Sequence, residues 1–273
     1  LPNDSGPCGP DTEMFIDTGK QACGARCRPG CPCGKYFEIW NDVFMQYEKF
    51  PDGSVKKLKQ HNVDTGMGVE RTVAMLQGKK DVYDTEVFRP LMALMASMAR
   101  EDPGKGPDGA KACRVIADHM RSSTFILGDD QGVVPGNLGQ GYVLRRLIRR
   151  SVRYARNIGL PDGFSARIAG AVVESLGTAY PELVRNRRRI EDELVKEEER
   201  FEKTLQNGLA ELNKTLGQMT AHNQTVLPGR VAFRLYDTSG FPLEFTEEIC
   251  REKGVTVDRA AYEEAFAKHR EVS

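Results

Sequence analysis

Residues 35–71 read KYFEIWNDVFMQYEKFPDGSVKKLKQHNVDTGMGVER, and this stretch decides the fold of the first part of the chain. Lys35 to Tyr47 is rich in aromatic and β-branched residues and partly alternates apolar with polar, which predicts a central strand. Pro51-Asp52-Gly53 supplies a turn, and Ser54 to Leu58 predicts a second strand, so the two form an antiparallel hairpin. Asn62 to Gly68 predicts a short strand ending in glycines, and Val69 to Leu76 opens a helix. A strand closing on Gly-x-Gly, here Gly66 and Gly68, admits a ligand close to the backbone, and the helix N-terminus after it favours anions. Arg71 sits in the first turns of that helix, placed to meet a phosphate, while Asp64 offers an acceptor at the strand end. Alone, such a turn is usually just a turn; the hairpin before it gives it weight.

Working outward, a second helix is expected from about Thr85 to Arg100, with Val87, Leu91, Leu94, Met95 and Met98 on one face. Glu101 to Gly109 holds two prolines and three glycines and reads as a linker. Beyond it, Lys111 to Leu127, Gly141 to Asn157 and Phe164 to Leu176 are amphipathic helical segments. Glu182 to Leu216 is a longer helix of alternating charge, expected to project or to lie antiparallel to a neighbour. Pro228-Gly229 and Gly240-Phe241-Pro242 interrupt the last part, and neither an internal repeat nor a low-complexity tract is present. The expected organisation is α+β, divided into residues 1–103 and a helical part, 104–273.

The 273 residues have room for one large domain or two moderate ones. With 40% apolar and 29% charged residues, the chain is not collagen, a disulfide miniprotein or a disordered polymer. Its apolar runs are too short for a transmembrane span, and no charged-then-apolar leader opens it, so a cytoplasmic protein is expected. Leu1 is not an initiator methionine, which suggests a fragment or a trimmed product. The 39 basic and 39 acidic residues cancel, so affinity for a polyanion has to come from local segregation of charge.

That segregation is strongest in Tyr142 to Arg156, YVLRRLIRRSVRYAR. Arg145, Arg149, Arg153 and Arg156 share one helical face and Arg146 and Arg150 flank it, while Leu144, Leu147, Ile148 and Val152 supply the buried side. Six guanidiniums without an intervening acid repel one another unless an anion neutralises them. A phosphate backbone fits, since arginine matches it with bidentate hydrogen bonds. The competing, purely structural reading is a helix laced by carboxylates from the acidic 191–202 segment.

Cys23, Cys27, Cys31 and Cys33 cluster in a loop with prolines, glycines, Arg26 and Arg28. Tetrahedral zinc satisfies four such thiols, although the spacing is not a pair of Cys-x2-Cys knuckles; a reduced loop and two disulfides are the other readings. Cys8, Cys113 and Cys250 are scattered, and an odd total of seven favours a reducing compartment. His61, His119, His222 and His269 form no metal-binding pair, and no serine-hydrolase elbow, Walker loop or Rossmann fingerprint occurs. Trp40 reads as core or as the wall of a small pocket, and the methionines from Met92 to Met98 as core.

Taken together, several stretches resemble the alanyl-tRNA synthetase family of class II aminoacyl-tRNA synthetases. They are Gly6 to Pro10 (GPCGP), Glu38 to Gln46 (EIWNDVFMQ), Val63 to Arg71 (VDTGMGVER), Arg114 to His119 (RVIADH), Gly141 to Arg146 (GYVLRR) and Phe233 to Thr238 (FRLYDT). The resemblance covers essentially the whole chain. It implies the C-terminal half of a class II antiparallel-sheet catalytic domain followed by an all-helical tRNA-recognition domain. It implies an alanine–tRNA ligase reaction with ATP and Mg2+, in which motif 3 contributes Gly66, Gly68 and Arg71 to ATP and Arg71 holds the γ-phosphate. Trp40, Asn41, Val43, Asp64 and Gly66 match the alanine pocket, with Asp64 pairing the substrate ammonium. Such a pocket excludes bulk yet cannot strongly reject glycine or serine. Asn137 and Asp237 match positions that contact a G·U pair in the tRNA(Ala) acceptor stem, and Arg145, Arg146, Arg149, Arg150 and Arg153 would grip nearby phosphates. The loop reads Pro-Gly-Asn-Leu-Gly-Gln from Pro135, where many members carry Pro-Ser-Asn-Glu-x-Arg. Motifs 1 and 2, an editing domain and an oligomerisation region are not in this sequence, so the chain alone is expected not to form alanyl-adenylate. A split synthetase completed by a second chain carrying motifs 1 and 2, and a non-catalytic RNA-binding paralogue, are the other readings; neither a membrane nor DNA is expected as a partner.

Overall fold

The computed structural model describes residues 5–99 and 107–272. The chain divides into two compact units, Leu1–Arg89 and Pro90–Ser273. This division falls at the first residue of the helix Arg89–Met98, whereas the sequence grouped that helix with the first part; most of the expected linker, 101–106, lies outside the described residues.

The first unit is built on β3, Tyr36–Lys49, whose aromatic and β-branched content suits a central strand. β1 (Gly6–Cys8) and β2 (Asp11–Asp17) pair along one edge of β3, and β4 (Val55–Met67) pairs along the other, all antiparallel. The turn between β3 and β4 closes where expected. Gly53 takes φ +82, its amide donates to the Phe50 carbonyl at 2.9 Å, and the Ser54 amide donates to Asp52 Oδ1 at 2.9 Å. The two strands expected over 54–58 and 62–68 are a single strand instead. Its register with β3 shifts between Met45 and Tyr47, so a bulge absorbs the polar residues between the two expected runs. Helix α1, Val69–Leu76, has the predicted bounds and follows β4 after the single residue Gly68.

The second unit is helical: α2 (Arg89–Met98), α3 (Pro107–Gly128), α4 (Gly139–Asn157), α5 (Phe164–Leu176), α6 (Pro181–Arg185) and α7 (Arg187–Ala221). They are followed by α8 (Gly229–Ser239), α9 (Leu243–Glu252) and α10 (Arg259–Val272). β5 (Val226–Leu227) and β6 (Thr256–Val257) form a small parallel pair between them. α3 packs on α4 and α5, and α7 packs on α4 and α5. Met120, Leu127, Leu144, Ile148, Ile168, Leu194 and Phe201 are fully or almost fully buried in this core. The long acidic helix therefore does not project. Ile190, Leu194, Phe201, Leu205, Leu212 and Leu216 give α7 a continuous buried stripe, and the Asn186 side chain, bonded to the Gly128 carbonyl and Asp130, separates it from α6.

Candidate functional site

In the sheet unit, strand register decides which residues meet. Asp11, Val43 and Asp64 are directly opposite one another across β2, β3 and β4, and Glu13, Asn41 and Gly66 form the next row. Paired residues share a face, so Asn41, Val43, Asp64 and Gly66 line one surface of the sheet. Asn41 Nδ2 donates to Asp11 Oδ2 at 2.9 Å, which fixes the amide and brings a second carboxylate to that surface. A Cβ on Gly66 would meet nothing within 4 Å, so packing inside the chain does not demand glycine there; the space above it is open to a ligand. Trp40 is in the Met14–Trp40–Met67 row on the opposite face, and its Nε1 donates to Thr65 Oγ1 at 2.6 Å. The expectation that Trp40 walls the same pocket is corrected by period-two alternation: neighbours on a strand point to opposite faces.

Arg71 leaves α1 and turns back over β3. Its Nη1 donates to the Glu38 carbonyl at 3.0 Å and lies 4.0 Å from the Glu38 carboxylate, while the guanidinium stands 5.0 Å over the Phe37 ring. These contacts aim the group without using all five of its N–H donors, and its side chain remains 47% exposed.

The four loop cysteines converge. Their sulfurs all lie within 4.8 Å of one another, with Cys23–Cys31 at 3.4 Å and Cys27–Cys33 at 3.6 Å. A tetrahedral zinc with Zn–S bonds of about 2.3 Å spaces its sulfurs at about 3.8 Å, so the donor set fits that ion. Tight turns shape the loop: the Cys27 amide donates to the Gly24 carbonyl and the Cys31 amide to the Arg28 carbonyl, each at 3.0 Å. The Lys35 amide draws the Cys33 thiol down to about 7, whereas hydrogen bonding to Cys31 pushes Cys23 up to about 12. The Lys35 amide thus favours a thiolate at Cys33, the form a metal ligand takes.

In the helical unit, the arginines of α4 are neutralised from within. Glu197 on α7 pairs with Arg149 at 2.7 Å and Arg145 at 3.2 Å. Arg146 pairs with Glu244, Arg150 with Glu248, and Arg153 with Glu248 and Glu252. Arg156 meets Asp162 and Glu202. The side chain of Arg149 is only 7% exposed, and burial pulls its guanidinium below the usual value despite Glu197. The expectation of a phosphate-gripping arginine face is therefore corrected for Arg145, Arg149 and Arg153, which are enclosed, and for Arg146 and Arg150, which are engaged by carboxylates of α9. The carboxylates come from α9 as well as from the 191–202 segment.

Asn137 and Asp237, far apart in sequence, come to one place in the fold. Both line a cleft of about 540 Å³, with Arg145, Arg149, Tyr142 and Arg200 among its walls. A close approach shapes the Asn137 loop: the Gly136 amide donates to the Gly141 carbonyl at 2.9 Å, and a Cβ on Gly141 would come within 2.7 Å of the Val134 carbonyl oxygen. Arg145 also donates to the Asn137 side-chain oxygen. His269 Nε2 lies 3.9 Å from Asp237 Oδ1. Sequence reasoning missed Asp11, Thr65, Arg200 and His269. Strand alternation carried a signal for the first two; nothing local pointed to the last two.

The described residues include no helix long and apolar enough to cross a membrane. Residues 2–273 match the family model described as tRNA synthetases class II (A). The chain is 50% identical over 270 residues to an alanine–tRNA ligase of Treponema pallidum and 52% identical over 270 residues to one of Treponema denticola; each match covers 99% of this chain and 45% of that protein. It is 43% identical to an alanine–tRNA ligase of Desulfosudis oleivorans, covering 98% of this chain and 30% of that protein. The chain thus spans less than half the length of these relatives.

Proposed function

The chain belongs to the class II tRNA synthetase family, and from that premise we propose that it supplies part of the amino-acid and ATP site, together with acceptor-stem recognition, of an alanine–tRNA ligase. The observation that carries this reading is the cleft that both Asn137 and Asp237 line, brought there from distant parts of the sequence. An amide and a carboxylate lining one cleft can match the donor and acceptor edges of a base pair, and an RNA minor groove is wide and shallow enough to present them.

In the sheet unit, Asn41, Val43, Asp64 and Gly66 form the floor of a pocket for alanine. Asp64 pairs with the substrate ammonium, and Val43 limits side-chain size. Arg71 and the N-terminus of α1 take the polyphosphate of ATP, whose Mg2+ travels with it. The alanine carboxylate then attacks the α-phosphorus, expelling pyrophosphate, and the alanyl group passes from AMP to the tRNA terminus. Positioning and charge stabilisation carry both steps. Cys23, Cys27, Cys31 and Cys33 hold a structural Zn2+, since four thiolates leave it no open position.

Acceptor-stem hairpins carrying G·U or G·C test the reading by fluorescence anisotropy. Tighter binding of G·U, reduced about tenfold or more by Asn137→Ala or Asp237→Ala, is expected for paired base-edge contacts. Equal binding of both hairpins by the unaltered chain contradicts it.

A further inference from the structure

The cleft that holds Asn137 and Asp237 contains three arginines, and they are not equivalent. Arg145 and Arg149 share the buried Glu197, and Arg149 also donates to the Gly240 carbonyl and stands 4.9 Å over the Phe201 ring. Turning either toward an outside anion would strand a buried carboxylate. Arg200 is different. It lines the same cleft from α7, is exposed, and joins no ion pair among the described residues. Glu197, one turn before it, is already committed, and Lys196 and Lys203 are the neighbours at the other near helical positions.

Its stem is nevertheless well placed. Thr204, one turn further on, donates to the Ser239 carbonyl at 2.9 Å, and Phe201 packs against Phe241 with ring centroids 5.8 Å apart. α7 is thereby tied to the segment immediately after Asp237, which fixes Arg200 relative to Asp237. Base-edge contacts need such anchors, because phosphate contacts set the register in which edges are read. Resting on the acceptor-stem reading above, we propose that Arg200 grips a backbone phosphate of the RNA whose base edges lie on Asn137 and Asp237. The internally paired arginines of α4 serve instead as the fixed wall of the cleft.

The test compares the unaltered chain with Arg200→Gln and Arg200→Lys, using G·U and G·C acceptor-stem hairpins between about 50 and about 200 mM salt. Arg200→Gln is expected to lower the slope of log affinity against log salt by about one and to weaken both hairpins roughly tenfold, with their ratio preserved. Arg200→Lys keeps the slope. Matching circular-dichroism melts establish that the variants fold. An unchanged slope in Arg200→Gln, with the unaltered chain still preferring G·U, overturns the phosphate role alone. Loss of the G·U preference at constant slope overturns it too, by making Arg200 a reader of bases. If the unaltered chain binds neither hairpin, the acceptor-stem reading itself fails.

Discussion

Arg71 in the sheet unit and Arg149 in the helical unit carry the same guanidinium in opposite circumstances. Arg71 is held by a backbone carbonyl and an aromatic face, and the Glu38 carboxylate approaches it only to 4.0 Å. Arg149 is enclosed, paired to Glu197 at 2.7 Å, and packed on Phe201. The same contrast runs through both units. In the sheet unit, Asp64, Arg71 and the cysteine cluster have polar capacity that an outside partner can complete. In the helical unit, most charge on α4 is completed by α7 and α9, while the cleft lined by Asn137 and Asp237 keeps charge in reserve at Arg200. An arginine-rich helix is thus not in itself a nucleic-acid site; what matters is which carboxylates the fold brings to it.

The contrast can be broken most easily at the cysteine loop. Structural zinc binds with an apparent free energy on the order of 10 kcal/mol, so chelation should release the loop. The amides of Cys27 and Cys31 are expected to lose hydrogen-exchange protection, and Cys27→Ser should reduce zinc, measured by mass spectrometry of the metal, to background. A chain that retains its loop protection after complete zinc removal would place the cysteines with the self-sufficient groups. Next in size, Glu197→Ala leaves Arg145 and Arg149 without their shared anion and should destabilise the helical unit by about 3–5 kcal/mol in urea unfolding. A loss below about 1 kcal/mol, the range of exposed pairs, would mean that the network is not effectively buried.

A pH series sharpens the comparison further. Burial pushes the Glu248 carboxyl up, but hydrogen bonds from Arg150 and Tyr154 and the nearby arginine charges outweigh it, leaving the group below the ordinary 4.5. A carboxyl depressed in the folded state stabilises it fully above its unfolded value and loses that contribution as pH falls through the folded one. The stability difference between the unaltered chain and Glu248→Gln should therefore be flat above pH 4.5 and shrink below it. Glu198, pushed up by burial, works in the opposite sense, so the difference between variants is the quantity to follow. The smallest effect belongs to Arg71→Ala, which should change thermal stability by less than about 0.5 kcal/mol, as an exposed side chain does. A larger loss would move Arg71 into the class of Arg149.

The strand over 36–49, the turn at Gly53, and helices α1 and α5 were legible because each depends on neighbours a few residues away. Alternation also held the side on which Trp40 points, though a tryptophan beside a matching asparagine and valine invited the opposite assignment. The bulge that joins two expected strands into β4 was less legible, since it depends on pairing with β3. The capping of α5 shows the limit clearly. Its first amides and Ser165 donate to Glu198, a carboxylate from another helix that no local motif announces.

The sequence by itself determined the periodicities, the turn at Gly53, the extents of α1 and α5, and the presence of a cysteine cluster and an arginine-rich helix, because short-range geometry and composition fix these. Only the tertiary structure decided that Glu197, Glu244, Glu248 and Glu252 neutralise that helix, that four sulfurs converge, and that Asn137 and Asp237 share a cleft with the exposed Arg200. The physical reason is common to all three. Buried charge must be matched and open charge need not be, and which groups are buried is settled by the packing of segments far apart along the chain.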